Sequence, residues 1–271
     1  QNFLQNIQPK ARCGLRVNPQ LSLIKDARYD PCRRYSKLGV PLLQLEMVLN
    51  EMPQQLDGIT GLLVHNNCDA TDLKGLINTV QHLEKHLQPL LEKLDWINLG
   101  GGYLFNEADD ENSLQDLIRS IEERYQLQTL FEPGSAISRK AGYFIATVLD
   151  MFISEGRHIV VLDTTINHMP EVFEYQFEPD IIGDTESGTY KYLLAGSTCL
   201  AGDIFGEYAF NKELKIGSRI IFENAGAYTM VKASMFNGIN LPNIYMLTQD
   251  ANLKMVKQFN YRDYLNQCGA E

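Results

Sequence analysis

Three consecutive glycines follow a short apolar segment and could bind an anion. Trp96, Ile97 and Leu99 are residue types that favour a buried strand, and the glycines occupy positions 100–102 directly after it. Glycines expose backbone N–H groups and permit positive φ, so a phosphate can approach the chain closely. The segment predicts a phosphate-binding turn, although the same residues also suit a tight turn without a ligand.

Four further side chains could supply chemistry, and each also has an ordinary structural interpretation. His65 follows an apolar segment and could stack on a planar cofactor, or it could be a structural histidine. Glu132 precedes Pro-Gly and could keep a ring nitrogen protonated, or it could merely end a strand. Cys199 lies in a glycine-rich loop and could be an acid or nucleophile, although most lone cysteines are inert. Tyr228, close to Gly226, could bind phosphate or simply pack.

The sequence predicts no metal site. His82 and His86 have the i, i+4 spacing of a metal-binding pair. They lie off the leucine stripe of their helix, however, and no His-Glu-x-x-His pattern is present. We therefore expect both histidines at the surface.

Composition limits the possible partners and compartments. The 271 residues carry a net charge of −10, which disfavours a nucleic-acid partner and is compatible with a cationic substrate. Five scattered cysteines without a Cys-x-x-Cys pair indicate a reducing compartment. The longest apolar run, residues 143–153, is interrupted by Asp150 and is too short to span a bilayer. We expect a cytoplasmic protein with no membrane partner.

The candidate residues recur at the ends of predicted strands. Four strand–helix units precede residue 138, and distinctive residues stand at the carboxyl end of each strand, where barrel enzymes place their sites. A complete eight-unit barrel takes roughly 250 residues, so about half of one is predicted here. Strands predominate from residue 141, with residues 174–190 expected to be a surface excursion. We predict that Thr71 caps the second long helix.

Six segments occur in the order of the motifs of fold-type III pyridoxal-phosphate decarboxylases, which the chain resembles. That family includes ornithine, arginine and diaminopimelate decarboxylases. The segments are Ser36-Lys37-Leu38-Gly39, Val64-His65-Asn66-Asn67-Cys68, Asn98-Leu99-Gly100-Gly101-Gly102, Glu132-Pro133-Gly134, Cys199-Leu200-Ala201-Gly202-Asp203 and Gly226-Ala227-Tyr228.

Within the family, the chain resembles the branch that decarboxylates carboxynorspermidine. Residues 163–171, Asp-Thr-Thr-Ile-Asn-His-Met-Pro-Glu, are similar to a His-Met-Pro-Asp segment of that branch. Ser135 stands where the diaminopimelate and ornithine enzymes carry arginine, which argues against those substrates. Ser135 also differs from the acidic residue common in the branch, and Glu171 replaces its aspartate.

The resemblance implies a fold of two parts. Residues 1–138 would be the C-terminal part of a (β/α)8 TIM barrel that binds pyridoxal 5'-phosphate, with the N-terminal units missing from this chain. Residues 139–271 would form a β-barrel or β-sandwich-like domain that carries the Cys199 loop and a substrate-binding segment.

The resemblance also implies roles for individual residues in holding the cofactor and moving the proton. Cys199 would reprotonate the α-carbon of the substrate. The partner subunit of a head-to-tail homodimer with shared active sites would supply this cysteine. His65 would stack on the cofactor ring, and Glu132 would pair with its ring nitrogen. The residues that would hold the cofactor phosphate are Gly101, Gly102, Gly134 and Tyr228.

Further positions would bind the substrate and the second subunit. Lys37 would pair with Asp203 of the other subunit. The residues that would contact a carboxylated polyamine are Ser135, Asp163, His168 and Glu171. The implied reaction converts carboxynorspermidine or carboxyspermidine to norspermidine or spermidine plus CO₂ in polyamine biosynthesis.

One part of the family pattern has no counterpart in the sequence. The lysine that forms the Schiff base belongs to the first barrel strand, and no lysine of this chain stands in that context, so we expect it upstream of Gln1. Three alternatives stay open: a decarboxylase acting on diaminopimelate or ornithine, a non-catalytic paralogue that lacks the lysine, and racemase-like chemistry on the same barrel.

Overall fold

The computed structural model describes residues 12–105 and 111–270. The chain divides between Ile137 and Ser138 into two compact units, here called unit 1 and unit 2. No helix within the described residues is long and apolar enough to cross a membrane.

A five-stranded parallel sheet forms the centre of unit 1, with the strand order β2-β1-β3-β4-β5. The strands are β1 (Cys13–Asn18), β2 (Val40–Pro41), β3 (Ile59–Val64), β4 (Trp96–Asn98) and β5 (Gln128–Leu130). The helices α1 (Leu42–Glu51), α2 (Lys74–Leu91) and α3 (Glu111–Tyr125) connect successive strands. The predicted alternation of strands and helices is therefore found, although five parallel strands do not by themselves establish a barrel.

The apolar stripe of α2 builds much of the core of unit 1. Leu76, Val80, Leu83 and Leu87 recur at helical spacing, and all four are buried. The predicted cap of this helix is wrong. Its first turn begins at Lys74, whose N–H donates to Asp72 Oδ1 at 2.9 Å, and Thr71 takes no part.

A row of residues across three strands explains two glycines in the sheet interior. Pairing places Gly14 opposite Gly61, and Gly61 opposite Trp96. The indole of Trp96 lies across both glycines, because a Cβ at Gly61 would stand 2.0 Å from Trp96 Cε2 and one at Gly14 would stand 2.2 Å from Cη2. The glycines therefore make room for the single tryptophan of the chain.

Unit 2 is built on a second five-stranded sheet with the order β10-β6-β7-β8-β9. All neighbouring strands are antiparallel except β7 and β8, which are parallel. The strands are β6 (Phe144–Ser154), β7 (Arg157–Leu162), β8 (Tyr190–Ala195), β9 (Ile204–Phe210) and β10 (Arg219–Phe222).

Residues 180–185 connect the two edges of this sheet. Ile182 N–H donates to Ile221 O in β10 at 3.0 Å, and Thr185 N–H donates to Ala209 O in β9 at 2.9 Å. Ile181 lies in the core between these contacts. The prediction of a surface excursion over residues 174–190 is therefore wrong for this segment, which joins the sheet edges into a curled structure.

Short elements complete the chain. They are α4 (Ser135–Ser138), α5 (Glu171–Tyr175), α6 (Thr229–Lys232), the hairpin of β11 (Ile244–Leu247) and β12 (Leu253–Lys257), and α7 (Tyr261–Gln267). Two 3-10 turns, Ile166–His168 and Phe236–Gly238, matter for the site in unit 2. The hairpin and α7 lie in a region where the sequence carried no clear signal.

Replacing Gly61 by alanine tests the contact with Trp96. The added methyl group requires the indole to move, so the free energy of unfolding should fall by about 1–3 kcal/mol, as for other overpacked sites. The same substitution in a Trp96→Leu background should cost clearly less, which a double-mutant cycle by chemical denaturation would measure. Equal costs in both backgrounds would contradict this packing.

Candidate functional site

Three of the predicted site segments meet at the carboxyl ends of β3, β4 and β5. His65 follows β3, the glycines follow β4, and Glu132 follows β5. Gly101 N–H donates to His65 Nδ1 at 3.0 Å, and Glu132 N–H donates to Gly100 O at 2.8 Å. Backbone hydrogen bonds of the glycine turn therefore fix both neighbouring segments.

Each glycine of the turn is required by a close approach of backbone. A Cβ at Gly100 would stand 2.5 Å from Val64 O, one at Gly101 2.2 Å from Glu132 O, and one at Gly102 2.2 Å from Asn67 O. Gly100 and Gly102 also have φ of +72° and +84°. Packing therefore explains the triplet without a ligand. The N–H of Gly101 is occupied by His65, whereas the N–H of Gly102 has no acceptor among the described residues.

His65 is held as a neutral ring. Its Nδ1 accepts the bond from Gly101, so the ring proton resides on Nε2. Burial lowers the pKa of His65, and the positive charge of Arg16 lowers it further, while Glu132 acts in the opposite direction. A neutral planar ring at this position suits stacking against another aromatic ring.

Glu132 presents one carboxylate oxygen for a ligand. Asn98 Nδ2 donates to its Oε1 at 2.8 Å, and Asn98 Oδ1 accepts from Gly100 N–H at 2.8 Å. Oε2 of this exposed residue has no donor among the described residues. The orienting role of Asn98 and the charge of Arg16 beside His65 were not predicted. The available signal was the charged Arg16 within the largely apolar strand β1 and the polar Asn98 at the end of the apolar strand β4.

Gly134 and Ser135 follow at the same end of β5. Gly134 O accepts from Ile137 N–H at 3.0 Å, and Ser135 is the first residue of α4. Their predicted contacts with phosphate and substrate stay predictions.

In unit 2, a buried carboxylate organises the Cys199 loop. Asp203 is 3% exposed, its Oδ1 accepts from Ile166 N–H at 2.7 Å, and its Oδ2 accepts from Thr198 N–H at 3.0 Å and from the Thr198 hydroxyl. Both oxygens are therefore used within the unit. The predicted ion pair with Lys37 of a second subunit stays a prediction; within the described residues Lys37 is exposed and the Asp203 carboxylate is covered.

Cys199 itself is exposed at the surface of unit 2. Asn237, in the 3-10 turn Phe236–Gly238, donates from Nδ2 to Cys199 Sγ at 3.1 Å. All five cysteines are free thiols.

His168 does not occupy the position predicted for it. The side chain is 2% exposed, with Nδ1 at 2.9 Å from the Thr164 hydroxyl and with the ring edge against Phe144. Burial lowers its pKa to about 4, whereas the charge of Asp203 acts in the opposite direction. A covered imidazole is out of reach of a substrate amine, so the predicted substrate contact of His168 is corrected to a core position in the turn Ile166–His168.

Two carboxylates on α5 already bind an ammonium group. Lys232 Nζ lies 3.2 Å from Glu171 Oε1, contacts Glu174 Oε2, and stands 5.4 Å from the centre of the Tyr175 ring. Asp163 is exposed, with Oδ1 accepting from Thr147 N–H at 2.6 Å and Oδ2 without a donor among the described residues. Asp163 is therefore an accessible carboxylate in unit 2, whereas Glu171 is partly buried and paired with Lys232.

Tyr228 is exposed on a strained backbone. Its φ of +61° is unusual for a bulky residue, and such strain concentrates at functional sites. The preceding Gly226 is anchored, because its N–H donates to Arg139 O at 3.2 Å and a Cβ would stand 1.9 Å from Ser138 O.

The two histidines of α2 contact separate protein partners. His86 Nδ1 lies 3.1 Å from Glu46 Oε2, and His82 Nε2 lies 3.1 Å from Pro19 O. Both side chains are half-buried. No cluster of three or more metal-binding side chains occurs in the part of the chain that the structure describes.

The residues at the end of the parallel sheet fit a planar cofactor that carries an anion. His65 supplies a neutral ring, Glu132 an exposed carboxylate oxygen, and Gly102 an N–H without an acceptor among the described residues. The fold and site thus define an α/β protein with a cofactor site at the ends of its parallel strands.

Comparison with known proteins identifies the family. Residues 27–226 match the family described as pyridoxal-dependent decarboxylase, C-terminal sheet domain. The chain is 34% identical to a carboxynorspermidine/carboxyspermidine decarboxylase of Campylobacter jejuni, over 96% of this chain and 70% of that protein. It is 37% identical to a carboxyaminopropylagmatine decarboxylase of Synechocystis, over 98% of this chain and 68% of that protein.

A solved structure agrees with these relatives. The crystal structure of carboxynorspermidine decarboxylase from Campylobacter jejuni, complexed with norspermidine, superposes with a TM-score of 0.85 at 32% identity, covering 98% of this chain and 72% of that one. The chain belongs to the fold-type III pyridoxal-phosphate-dependent decarboxylases. The predicted family, enzyme class and cofactor are thereby confirmed.

The buried His168 predicts a specific pH dependence of stability. The unfolded chain binds this proton below the ordinary pKa of 6.5, whereas the folded protein binds it only below about 4, so unfolding takes up a proton between these values. The free energy of unfolding should therefore fall by on the order of 3 kcal/mol as the pH falls from 6.5 to 4. Denaturant titrations of the wild type and His168→Asn should show this slope reduced in the variant. Identical slopes would contradict the buried, neutral state.

Proposed function

We propose that this protein catalyses the pyridoxal-phosphate-dependent decarboxylation of carboxynorspermidine and carboxyspermidine, releasing norspermidine or spermidine and CO₂ in polyamine biosynthesis. The observation that carries the substrate class is the ammonium group of Lys232 held by Glu171 and Glu174 beside the ring of Tyr175. These groups bind a primary ammonium on an alkyl chain, which is the group that polyamines carry. The relatives named for carboxylated polyamines support the same choice.

The cofactor would be held by the residues that the family resemblance implies. Gly101, Gly102, Gly134 and Tyr228 would surround its phosphate, with Gly102 supplying an N–H and Gly101 fixing His65. When bound, pyridoxal phosphate supplies a ring that accepts the electrons released with CO₂. His65 would stack on this ring as a neutral imidazole, and the exposed oxygen of Glu132 would accept a hydrogen bond from the protonated ring nitrogen.

Cys199 would deliver a proton to the α-carbon after CO₂ departs. Its exposed Sγ lies on a loop fixed by Asp203, so the donor is both accessible and positioned. We assign residues 1–138 to a partial (β/α)8 barrel and residues 139–271 to a β-barrel-like domain that carries this loop. We further propose a cytoplasmic homodimer with shared active sites, for which the five free thiols support a reducing compartment.

Substrate amines would be bound by carboxylates along the length of the molecule. Asp163 is an exposed carboxylate, Glu171 is a partly exposed carboxylate beside Lys232, and Ser135 would contribute a hydroxyl. An extended cation pairs with each carboxylate in turn, whereas a short amino acid leaves some of them unpaired. This arrangement favours a carboxylated polyamine over ornithine, lysine or diaminopimelate.

Carboxyaminopropylagmatine is a second candidate substrate. The observation in its favour is the 37% identity to the decarboxylase of Synechocystis that bears this name. Agmatine ends in a guanidinium group, which a carboxylate can bind through two parallel hydrogen bonds. Glu171 and Glu174 would then face a planar cation instead of an ammonium.

A substrate panel with the full-length protein tests these assignments. The specificity constant should be greatest for carboxynorspermidine or carboxyspermidine and far lower for ornithine, lysine and diaminopimelate, with carboxyaminopropylagmatine measured alongside. A comparable constant for ornithine would overturn the assignment of the substrate. Activity on carboxyaminopropylagmatine alone would select the second candidate.

Removing the charge of Glu171 should weaken binding of the distal amine. Loss of a charge-assisted contact should raise KM for carboxynorspermidine about 10- to 100-fold in Glu171→Gln, with a smaller change in kcat. Glu213→Gln, which removes an exposed carboxylate in the same unit, is the matched control and should leave KM unchanged. Equal KM values for both variants would remove Glu171 from the substrate site.

Replacing Cys199 by alanine should slow turnover about 10²- to 10⁴-fold, the usual contribution of a general acid. Product analysis should also show the proton delivered at the wrong carbon. Cys268→Ala removes another exposed thiol of unit 2 and should have no effect. An unchanged rate and an unchanged product with Cys199→Ala would exclude Cys199 from the mechanism.

A further inference from the structure

The side chain of Asn237 points its amide at the sulfur of Cys199. The distance from Nδ2 to Sγ is 3.1 Å, and both side chains are exposed. The two residues are 38 positions apart in the sequence, so this contact depends on the fold of unit 2.

A single turn holds both partners in place. Ile166 N–H donates to Asp203, which fixes the Cys199 loop, while Asn167 O accepts from Ser234 N–H at 3.0 Å, which fixes the segment before Asn237. His168 lies buried beneath this turn, and Met235 is buried beside Asn237. The distance between sulfur and amide is therefore set by the turn Ile166–His168.

The backbone at Asn237 adopts a conformation that favours glycine or asparagine. Its φ of +57° lies in the left-handed region, where glycine is least strained and asparagine is the best tolerated of the larger residues. Gly238 follows with φ of +74°, so two successive residues adopt this region. An asparagine here keeps an amide donor at a place where glycine would otherwise suit the backbone.

We propose that Asn237 is a positioning residue for Cys199, which orients Sγ and stabilises the negative charge that the sulfur acquires as its proton leaves. The proton passes from Sγ to the α-carbon of the substrate, the S–H bond breaks, and the electron pair of that bond stays on sulfur. A hydrogen bond to a charged acceptor is stronger than one to a neutral acceptor, so the bond from Asn237 strengthens during the transfer. The proposal rests on the proposed role of Cys199.

Alkylation of Cys199 by iodoacetamide tests the contact independently of activity. The rate at the Cys199 peptide, followed by mass spectrometry across pH in the full-length protein, reports the pH at which the thiolate forms. Asn237→Gly keeps the backbone and removes the hydrogen-bond donor. The midpoint of the alkylation rate against pH should therefore rise by about half to one pH unit. Asn237→Asp, which places a carboxylate beside the sulfur, should raise it at least as far. Alkylation of the exposed Cys268 serves as an internal control.

Asn224→Gly is the matched control variant. Asn224 also has a left-handed φ of +56° and donates from Nδ2, but its acceptor is Asp180 Oδ2 at 2.9 Å. It should shift neither the Cys199 midpoint nor turnover. Asn237→Gly, in contrast, should lower kcat for decarboxylation about 5- to 20-fold with KM within twofold of the wild type.

The two readouts separate the possible failures. An unchanged midpoint in both Asn237 variants overturns the proposal, and so does a shifted midpoint with unchanged kcat. If the wild type shows no decarboxylation of the substrate panel, the proposed function fails, while a shifted midpoint still supports the contact between Asn237 and the sulfur.

Discussion

Only glycine fits between the ends of β3, β4 and β5, and the candidate cofactor site depends on that constraint. A Cβ at any of the three glycines after β4 would come within 2.5 Å of a carbonyl oxygen on a neighbouring segment. The same closeness allows the turn to bond with His65 on one side and with Glu132 on the other. The backbone thereby fixes a neutral ring and a carboxylate at one edge of the sheet.

In unit 2, a buried carboxylate positions the candidate site residue Cys199, as the glycines position His65 and Glu132 in unit 1. Asp203 uses both oxygens to bind N–H and hydroxyl groups of Thr198 and the N–H of Ile166. A buried charge is tolerated when it is fully hydrogen-bonded, and the cost of leaving these groups unpaired holds the loop in one conformation. Cys199 can therefore be exposed and still hold a defined position, because the buried Asp203 carboxylate fixes its loop.

Local patterns allowed the elements of unit 1 to be predicted, because strands and helices there follow from periodicity within each segment. The ends of β3, β4 and β5 were informative for the same reason: residues that follow parallel strands share one edge of the sheet. His65 and Glu132 were therefore associated correctly from the sequence, and the structure adds Asn98 as the link between Glu132 and the turn.

Burial in unit 2 could not be predicted, because it depends on segments that are distant in the sequence. His168 and Asp203 are polar, and they are covered by the packing of the turn Ile166–His168 against the Cys199 loop and against Phe144. Residues 180–185 look polar and irregular, yet their backbone groups pair with strands β9 and β10. Contacts between segments distant in the sequence decided each of these positions.

The proposed reaction places a further demand on the acidic groups of unit 2. Loss of CO₂ and uptake of a proton raise the charge of the bound molecule by one unit, so a site made only of carboxylates would bind the product more tightly than the substrate. Lys232 offsets part of this attraction, because its ammonium group neutralises charge on Glu171 and Glu174. A chain of net charge −10 attracts a polycation from a distance, whereas a lysine beside the binding carboxylates limits how firmly they hold it. In the proposed reaction, the same three side chains would thus balance recognition of the amine against release of the amine product.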